Sequence, residues 1–424
     1  MAGEKIYIAD KETLDKVYNI LATDPVYGFI EHNGILSPGS RIEYIGLNKD
    51  FSPLVRNKTD GSMALNSWAD FPVIKANKPY MVRADGTPDY RLNEENYAQR
   101  ESGGASDVAN SSYNGGAFSW LMKIYKNEEM VGNDRIVRFS LTARDGYEPV
   151  GFIDPSNNEL EGVWLPMFYG SILGTDGATP KMVSLSGMQP HHTKDTAAQK
   201  TAITNFSSRA VFLGGPIVET ITDLLIMFAK TTNLQEAYGY GNCAGYNASQ
   251  SPTYGVKQNA IVGGGQFYGT DDQHSLNKIF HSIVLGSYQQ WMRDPYEVVV
   301  NGRVKVSKNY TYDPTGAAYT DTGINVPNRP ESNGWDYPDR YRTVAGYGAI
   351  PDAPYNGTSA TGGCDGLYRH QTQSSFTGVC LRFGHCSTGL VCGLRARYWA
   401  DTAADAGWCL GAADLLLPPV GVAA

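Results

Sequence analysis

Residues 382–419 constrain the architecture of this chain more than any other stretch. Short runs of unrelated residue type, such as His-Cys-Ser-Thr at 385–388 and Tyr-Trp-Ala-Asp-Thr at 398–402, alternate there with residues typical of a rigid frame. The frame residues are Phe383, Gly384, Cys392, Gly393, Leu394, Arg395, Ala406, Gly407, Trp408, Gly411 and Ala412. We expect Phe383, Leu394, Trp408 and the run Leu415–Leu417 to be buried and to hold this frame. A fixed backbone with replaceable side chains is typical of a display surface, whereas an enzyme motif would tie each position to a task. We therefore expect the preceding chain to build a mount for this block.

The residue types that are missing from the C-terminus also favour a surface with replaceable side chains. Residues 374–424 contain no Asn, Gln, Lys, Glu or Met, although the earlier chain uses all five. A short segment with an apolar end could show such a gap by chance. Randomising the adenines of an AAC asparagine codon gives a second explanation, because it yields Asp, His, Tyr, Cys, Ser, Thr, Ala, Val and similar residues but never Lys, Glu, Gln or Met.

The inserts fit that second explanation with one exception. The insert residues within the permitted set are His385, Cys386, Ser387, Thr388, Val391, Tyr398, Asp401, Thr402, Asp405 and Cys409. Trp399 lies outside the set, so it is either a frame residue or an argument against codon rewriting. We predict these positions, Trp399 included, as the ligand-binding surface, in a variable region of about residues 382–414.

Charge and hydropathy exclude several classes of protein. The 424 residues carry a formal net charge of −8, which argues against nucleic acid because that ligand requires clustered Lys and Arg. The most apolar run, residues 221–229, is shorter than the roughly 20 residues of a membrane span. The N-terminus is charged from the start and does not resemble a secretory signal. We expect a soluble protein that is made in a cytosol.

No pattern in the sequence indicates catalysis or a metal site. Gly263-Gly264-Gly265 lacks the Gly-Lys-Ser/Thr of a phosphate loop, so we interpret it as a turn. His191-His192 has no further ligand at a recognised spacing, and no acidic loop with calcium-ligand spacing is evident, which leaves calcium open. Most of the six cysteines are interpreted as buried or incidental thiols, and one local disulfide is left open. We therefore predict a protein that is not an enzyme and needs no cofactor.

The hydrophobic pattern predicts an α+β fold. Residues 10–21 have helical spacing, and with the short strands that follow they predict an attachment module over residues 1–60. Strand-rich segments follow, including an Asp-Gly hairpin at 84–87 and aromatic strands up to residue 173. Two helices are predicted next, one that begins at Pro216 and one over residues 275–291. Short strands with an Asn301-Gly302 turn follow them. Runs of strands beside two helices favour a twisted antiparallel sheet rather than alternating βαβ units.

Several segments resemble a known family. They include Trp-Leu-Pro-Met-Phe-Tyr-Gly-Ser-Ile-Leu from Trp164, Leu-Ser-Gly-Met-Gln-Pro from Leu185, Gly-Gly-Cys-Asp-Gly-Leu-Tyr from Gly362 and, most specifically, the block from Arg382 onward. Over about residues 110–424 the chain resembles the variable proteins of diversity-generating retroelements. Those proteins have a C-type-lectin-like fold related to formylglycine-generating enzymes, and they include phage tail receptor-binding proteins of the major tropism determinant type.

The resemblance implies a specific role and specific partners. Residues 61–424 would form a C-type-lectin-like ligand-binding domain whose last strands and loops expose the diversified side chains. The protein would be a homotrimer at a phage tail fibre or tip in the virion, attached to other tail proteins through residues 1–60. Its ligand would be a host bacterial surface receptor, either protein or glycan, with no nucleic acid and no membrane insertion.

Two alternatives are kept. Formylglycine-generating enzymes are copper oxidases that use a cysteine pair near an arginine-rich strand, and Cys386 and Cys392 beside Arg395 and Arg397 resemble that layout. The five residues between these cysteines differ from the four we expect in the enzymes, and Cys386 lies in an insert. The second alternative is a purely structural virion or cell-surface protein whose C-terminus only packs.

Overall fold

The chain is mainly β with a few helices. A computed structural model describes residues 26–174, 179–245, 256–260, 265–329 and 331–424. Within these ranges there are 24 strands and four α-helices, so the predicted α+β class is confirmed. The helix predicted at 10–21 lies outside the described residues. The helices are α1 (Pro72–Ala76), α2 (Thr196–Phe206), α3 (Pro216–Ala229) and α4 (Leu234–Tyr238).

Two sheets and three strand pairs make up the rest of the fold, and the C-terminal block contributes only β24 to them. A four-stranded antiparallel sheet has the order β2-β1-β9-β8, formed by β1 (Val26–Glu31), β2 (Ile42–Gly46), β8 (Tyr125–Val131) and β9 (Asp134–Ser140). A six-stranded sheet has the order β13-β24-β10-β7-β5-β6, formed by β5 (Pro79–Arg83), β6 (Pro88–Arg91), β7 (Gly115–Met122), β10 (Gly162–Pro166), β13 (Ala210–Phe212) and β24 (Asp414–Leu416). The pairs are β3 (Val55–Arg56) with β4 (Met63–Ala64), β11 (Ser171–Leu173) with β12 (Lys181–Val183), and β18 (Arg340–Val344) with β19 (Gly348–Asp352).

An eight-stranded mixed sheet contains most of the C-terminal block. Its order is β16-β15-β14-β21-β22-β20-β17, with β23 beside β14. Its strands are β14 (Trp291–Val300), β15 (Arg303–Val306), β16 (Thr320–Asn325), β17 (Gly334–Asp336), β20 (Leu367–Arg369), β21 (Thr377–Phe383), β22 (Gly393–Trp399) and β23 (Leu410–Gly411). The pairs β20–β22 and β14–β23 are parallel, and the other ladders of this sheet are antiparallel. The last strand, β24, lies in the six-stranded sheet, so the C-terminus ties the two sheets together.

The described part of the predicted N-terminal module packs into the same core as the rest of the chain. β1 pairs with β9, and Phe29 and Tyr44 belong to the main hydrophobic cluster. The Leu54 amide donates to the Phe228 carbonyl at 2.9 Å, and the Tyr44 hydroxyl donates to the Met227 carbonyl at 2.5 Å. Part of residues 26–60 therefore packs against β9 and α3, through Phe29, Tyr44 and Leu54. The attachment role of residues 1–60 stays a prediction.

Helix α3 forms as the sequence predicts. Pro216 occupies the first turn, where its missing N–H costs nothing, and side chains are buried all round the helix. The Asp-Gly hairpin between β5 and β6 and the Asn301-Gly302 turn between β14 and β15 are also present.

The second predicted helix, over residues 275–291, is wrong. Phe280 and His281 have φ of 53° and 61°, which is left-handed backbone that a right-handed helix cannot include. The Ile283 amide donates to the Met167 carbonyl at 3.0 Å, so this backbone bonds to the end of β10 instead of to itself. The helical spacing of its apolar residues reflects burial, since Ile279 and Val284 are fully buried in a non-helical segment.

Candidate functional site

The two faces of β22 have different surroundings. Side chains alternate along a strand, so Arg395, Arg397 and Trp399 share one face and Ala396 and Tyr398 share the other. The first face lies against buried acidic residues, as the ion pairs of both arginines demonstrate. The second face carries a small cluster of aromatic rings. One strand thus joins the interior to a candidate binding surface.

Buried ion pairs hold the interior face. The Arg395 guanidinium makes two hydrogen bonds of 2.7 Å to the two carboxylate oxygens of Glu31 in β1. Nearby arginines hold the pKa of Glu31 well below its ordinary value despite the opposing effect of its burial. Because β1 lies in another sheet, this bidentate pair fixes β22 to the N-terminal half of the described chain.

A second group of buried charges fixes β21 and β22 to α3 and β14. Arg382 donates to Asp294 at 2.8 Å, to Glu219 at 2.5 Å and to Glu297 at 2.8 Å. Arg397 donates to Glu297 at 2.9 Å and to Glu219 at 2.6 Å. All five side chains are almost completely buried. Removal of one partner from such a pair is strongly destabilising, because it leaves the charge of the other partner buried and uncompensated.

The opposite face of the sheet carries six rings, which we call the aromatic face: Trp291, Trp335, Tyr368, Tyr398, His385 and Trp408. Trp335, Tyr368 and Tyr398 are directly paired across β17, β20 and β22. The rings of Tyr368 and Tyr398 stack with centroids 4.3 Å apart, and Trp335 meets Tyr368 edge-on at 5.0 Å. These three rings are half-buried, whereas Trp291 beneath them is 3% exposed.

Both insert loops border the aromatic face. His385, at the start of the loop from β21 to β22, contacts the rings of Trp291 at 6.0 Å and Trp408 at 5.4 Å. Val391 ends a short 3₁₀ turn, Gly389–Val391, and lies with Trp335 against Gly366. The loop of residues 400–409 brings Trp408 to the other side of His385.

Main-chain atoms and frame residues hold much of the first loop. The Gly389 amide donates to the Cys243 carbonyl at 2.8 Å, and the Cys386 amide donates to the Gln289 carbonyl at 3.1 Å. Gly384 has a φ of 111°, and a Cβ there would come within 2.3 Å of the Cys392 sulfur, so only glycine fits. Inside the loop, the Thr388 hydroxyl accepts from the His385 amide at 3.0 Å.

The second loop is also anchored through its backbone. The Asp401 carbonyl accepts from the Val379 amide at 2.9 Å, and the Ala403 carbonyl accepts from the Thr196 amide at 3.0 Å. The Cys409 carbonyl accepts from the Trp291 amide at 2.8 Å. The Asp405 carboxylate accepts from the Thr402 amide and hydroxyl, which closes a local turn. Substitution of most insert side chains would therefore leave the main anchors of both loops in place.

The structure places most predicted ligand-binding residues at the surface. The exposed or half-buried ones are His385, Ser387, Thr388, Val391, Tyr398, Asp401, Thr402, Asp405 and Cys409. Cys386 and Trp399 are fully buried, which puts both out of reach of a ligand. Trp399 lies on the interior face of β22, where its indole N–H donates to Glu297 at 2.7 Å, so it is a frame residue.

Most predicted frame residues are buried, although Ala406 is exposed and Gly407 is half-exposed. Phe383 and Leu394 are fully buried, and Leu415–Leu417 are at most 2% exposed. Trp408, which we expected to be buried, is half-exposed because it lies on the outer loop rather than in a strand.

Asp401 has an unusual charge environment. Its carboxyl is half-buried and lies near the Tyr398 hydroxyl. Burial, followed by the neighbouring charge of Asp405, raises the pKa of Asp401 to about 6, and Arg293 opposes that shift. Arg293 donates to the backbone carbonyls of Lys194 and Asp405 and to the Thr196 hydroxyl. Across the described ranges, no ion pair joins either carboxylate to a cation.

The thiols of the block lack the features of reactive cysteines. Burial raises the pKa of Cys386 to about 12 and the pKa of Cys392 well above its ordinary value. Thiolate character, which nucleophiles and metal ligands require, is therefore suppressed at both. Arg395 and Arg397, which the enzyme alternative places beside them, are engaged by Glu31, Glu219 and Glu297 instead.

Among the described residues, no group of three or more His, Cys, Asp or Glu side chains is placed to hold a metal ion. The same part of the chain has no helix that is long and apolar enough to cross a bilayer.

Sequence reasoning missed half of the aromatic face. Trp335 and Tyr368 lie in strands of three residues within a stretch rich in Gly, Tyr, Pro and Asp, where no periodicity is visible. Trp291 falls where the sequence predicted the end of a helix. Only their aromatic type, in a region otherwise predicted as loop, was a usable signal.

Comparison with known proteins adds no relative. No protein-family model matches the chain, and a search of curated proteins finds no significant match.

Proposed function

We propose that this protein is a receptor-binding adhesin of a phage tail fibre or tip, which recognises a host-surface ligand through its C-terminal surface. The observation that carries the proposal is the aromatic face. Rings from the inserts and from three other strands meet there between the two insert loops, half-exposed except for the buried Trp291. Exposed Trp and Tyr clusters with a polar rim are typical of the energetic centres of protein interfaces.

The anchoring of the loops supports a display role. Their main-chain atoms bond to the rest of the protein, and the strands that carry them are fixed from behind by buried ion pairs. A rigid support with replaceable side chains is what a diversified binding surface requires. We extend the proposal to a C-type-lectin-like fold, to diversification by a retroelement and to a homotrimer. Weak single sites would then gain about 10²- to 10⁴-fold from avidity where geometry allows.

Binding to bacterial surface extracts tests the proposal. Extracts treated with protease or with periodate separate protein from glycan ligands. We expect His385→Ala and Tyr398→Ala to change which extracts are bound while the proteins stay folded. Tyr147→Ala is the matched control, because Tyr147 is a half-exposed tyrosine in the loop after β9. Unchanged binding by both insert variants would favour the purely structural alternative.

The neighbouring DNA tests the diversification claim separately. We expect a near-copy of the final ~100 bases beside a reverse transcriptase, with adenines at the insert codons. A copy that matches the coding sequence at every adenine would contradict diversification. Binding of monovalent copper by the purified protein, lost in Cys392→Ser, would instead support the oxidase alternative.

A further inference from the structure

The rim of the aromatic face carries an excess of negative charge. Asp401 and Asp405 lie on the loop that borders Tyr398, and within the described residues neither carboxylate forms an ion pair. The nearest cation, Arg293, is fully buried and is engaged by two backbone carbonyls and a hydroxyl. The other titratable neighbour within the insert, His385, is neutral, because burial lowers its pKa to about 4.

The arrangement of the rings disfavours sugar stacking. A sugar ring stacks on an open aromatic face, but the rings of Tyr368 and Tyr398 are parallel within 1° and cover one another. Each also contacts a tryptophan, Trp335 at 5.0 Å from Tyr368 and Trp291 at 5.6 Å from Tyr398. The tyrosine faces are thus largely occupied by other rings.

We propose that the aromatic face and Asp401 together bind a cationic side chain, arginine or lysine, of a protein partner. This inference rests on the proposed function, since it names the partner class of the same surface. The carboxylate supplies opposite charge, and the half-exposed Trp335 and Trp408 rings supply a quadrupole that attracts cations, whereas Trp291 is buried. Cation–π contacts contribute about 0.5–2 kcal/mol each, more where the cation is desolvated.

The residues involved divide into constant and replaceable parts. Trp335 and Tyr368 lie outside the C-terminal block, so their rings stay in place when the inserts change. Tyr398 and Asp401 are inserts, so the preference for a cation belongs to this sequence and would change with them. The constant rings thus supply a general contact surface, and the insert residues set its specificity.

Binding should weaken in acid. Asp401 loses its charge as the pH falls through about 6, and the attraction for a cation is lost with it. The titratable and charged groups that face Asp401 are Tyr398, Asp405, Arg293 and Cys409. We therefore expect a cation to bind more weakly at pH 5 than at pH 7.5.

A pair of matched peptides tests the proposal. The probes are acetyl-Gly-Arg-Gly-amide and its citrulline counterpart, which is nearly isosteric and neutral. The readout is the indole ¹⁵N–H spectrum of the seven tryptophans, with Trp291→Phe and Trp335→Phe used to assign the two signals. We expect the arginine peptide to shift both signals with about 10-fold higher affinity than the citrulline peptide, which corresponds to ~1.4 kcal/mol.

Variants and a sugar probe complete the test. Asp401→Asn should reduce the discrimination to about threefold or less, and Asp145→Asn, an exposed carboxylate in the loop after β9, should leave it unchanged. Equal affinity for both peptides, or no shift with either, overturns the proposal. Shifts with methyl glucoside but not with arginine overturn it in favour of a glycan ligand. If surface-extract binding persists while the arginine peptide fails, the cation inference falls and the receptor-binding role stands.

Discussion

Replacement of Glu297 by Gln would test whether buried charges hold the display strands. The Glu297 carboxylate accepts from Arg382 at 2.8 Å, from Arg397 at 2.9 Å and from the Trp399 indole at 2.7 Å. The two arginines lower its pKa from 4.5 to about 2, against the opposing effect of burial. Arg382 and Arg397 therefore stabilise the negative charge of Glu297 in the folded protein.

The magnitude follows from that pKa. A change from 4.5 to about 2 corresponds to roughly 3 kcal/mol at ~1.36 kcal/mol per pKa unit. Breaking a buried pair costs about 3–5 kcal/mol by mutation, which agrees. We expect Glu297→Gln to lower the free energy of unfolding by about 3 kcal/mol at pH 7. Because the folded pKa is lowered, this contribution is present above pH 4.5 and is lost as the pH falls through about 2.

Urea denaturation followed by circular dichroism measures this loss at pH 7 and at pH 3. Glu129→Gln is the control, because Glu129 forms an exposed ion pair with Arg138 that contributes at most about 1 kcal/mol. The reasoning is refuted if Glu297→Gln costs less than about 1 kcal/mol at pH 7. It is also refuted if the cost is as large at pH 3 as at pH 7.

Four further variants follow from the positions of single residues. Trp399→Ala should cost about 3–5 kcal/mol and Trp408→Ala less than about 2 kcal/mol in the same denaturation assay, because only the first ring is fully buried. Equal losses of stability in the two variants would contradict the placement of Trp399 in the interior and Trp408 at the surface. Asp401→Asn should raise the melting temperature at pH 7.5 and not at pH 3. The reason is that a carboxyl with a raised pKa destabilises the folded state only when it is charged. A lower melting temperature of this variant at pH 7.5 would contradict the raised pKa of Asp401. Gly384→Ala should destabilise because of its φ of 111° and the Cys392 sulfur, and calorimetry that finds no change would argue against this backbone.

Short sequence patterns predicted the two turns and helix α3, whose conformations depend mainly on neighbouring residues. The Asp-Gly and Asn301-Gly302 turns follow from residues that accept positive φ, and α3 follows from Pro216 with a long apolar run. The helix predicted at 275–291 failed because apolar spacing reports burial, and a segment buried on all sides gives that signal without being helical.

Only the part of the candidate site that lies in the inserts was predictable from the sequence. The inserts stand out by residue type, and most of them lie at the surface. Trp335 and Tyr368 reach Tyr398 through strand pairs that only the folded topology brings together. The pair of Glu31 with Arg395 joins residues 364 positions apart, which no local pattern can indicate.

Photo-crosslinking from the aromatic face tests the central claim most directly. A photoreactive phenylalanine analogue at position 398 replaces one half-exposed ring by another, and the same analogue at position 147 is the control. The protein is incubated with bacteria that it binds and is then irradiated. The account predicts a covalent adduct with a surface molecule from position 398 and none from position 147. Adducts from position 147 alone, or none from position 398 on cells that retain the protein, would contradict it.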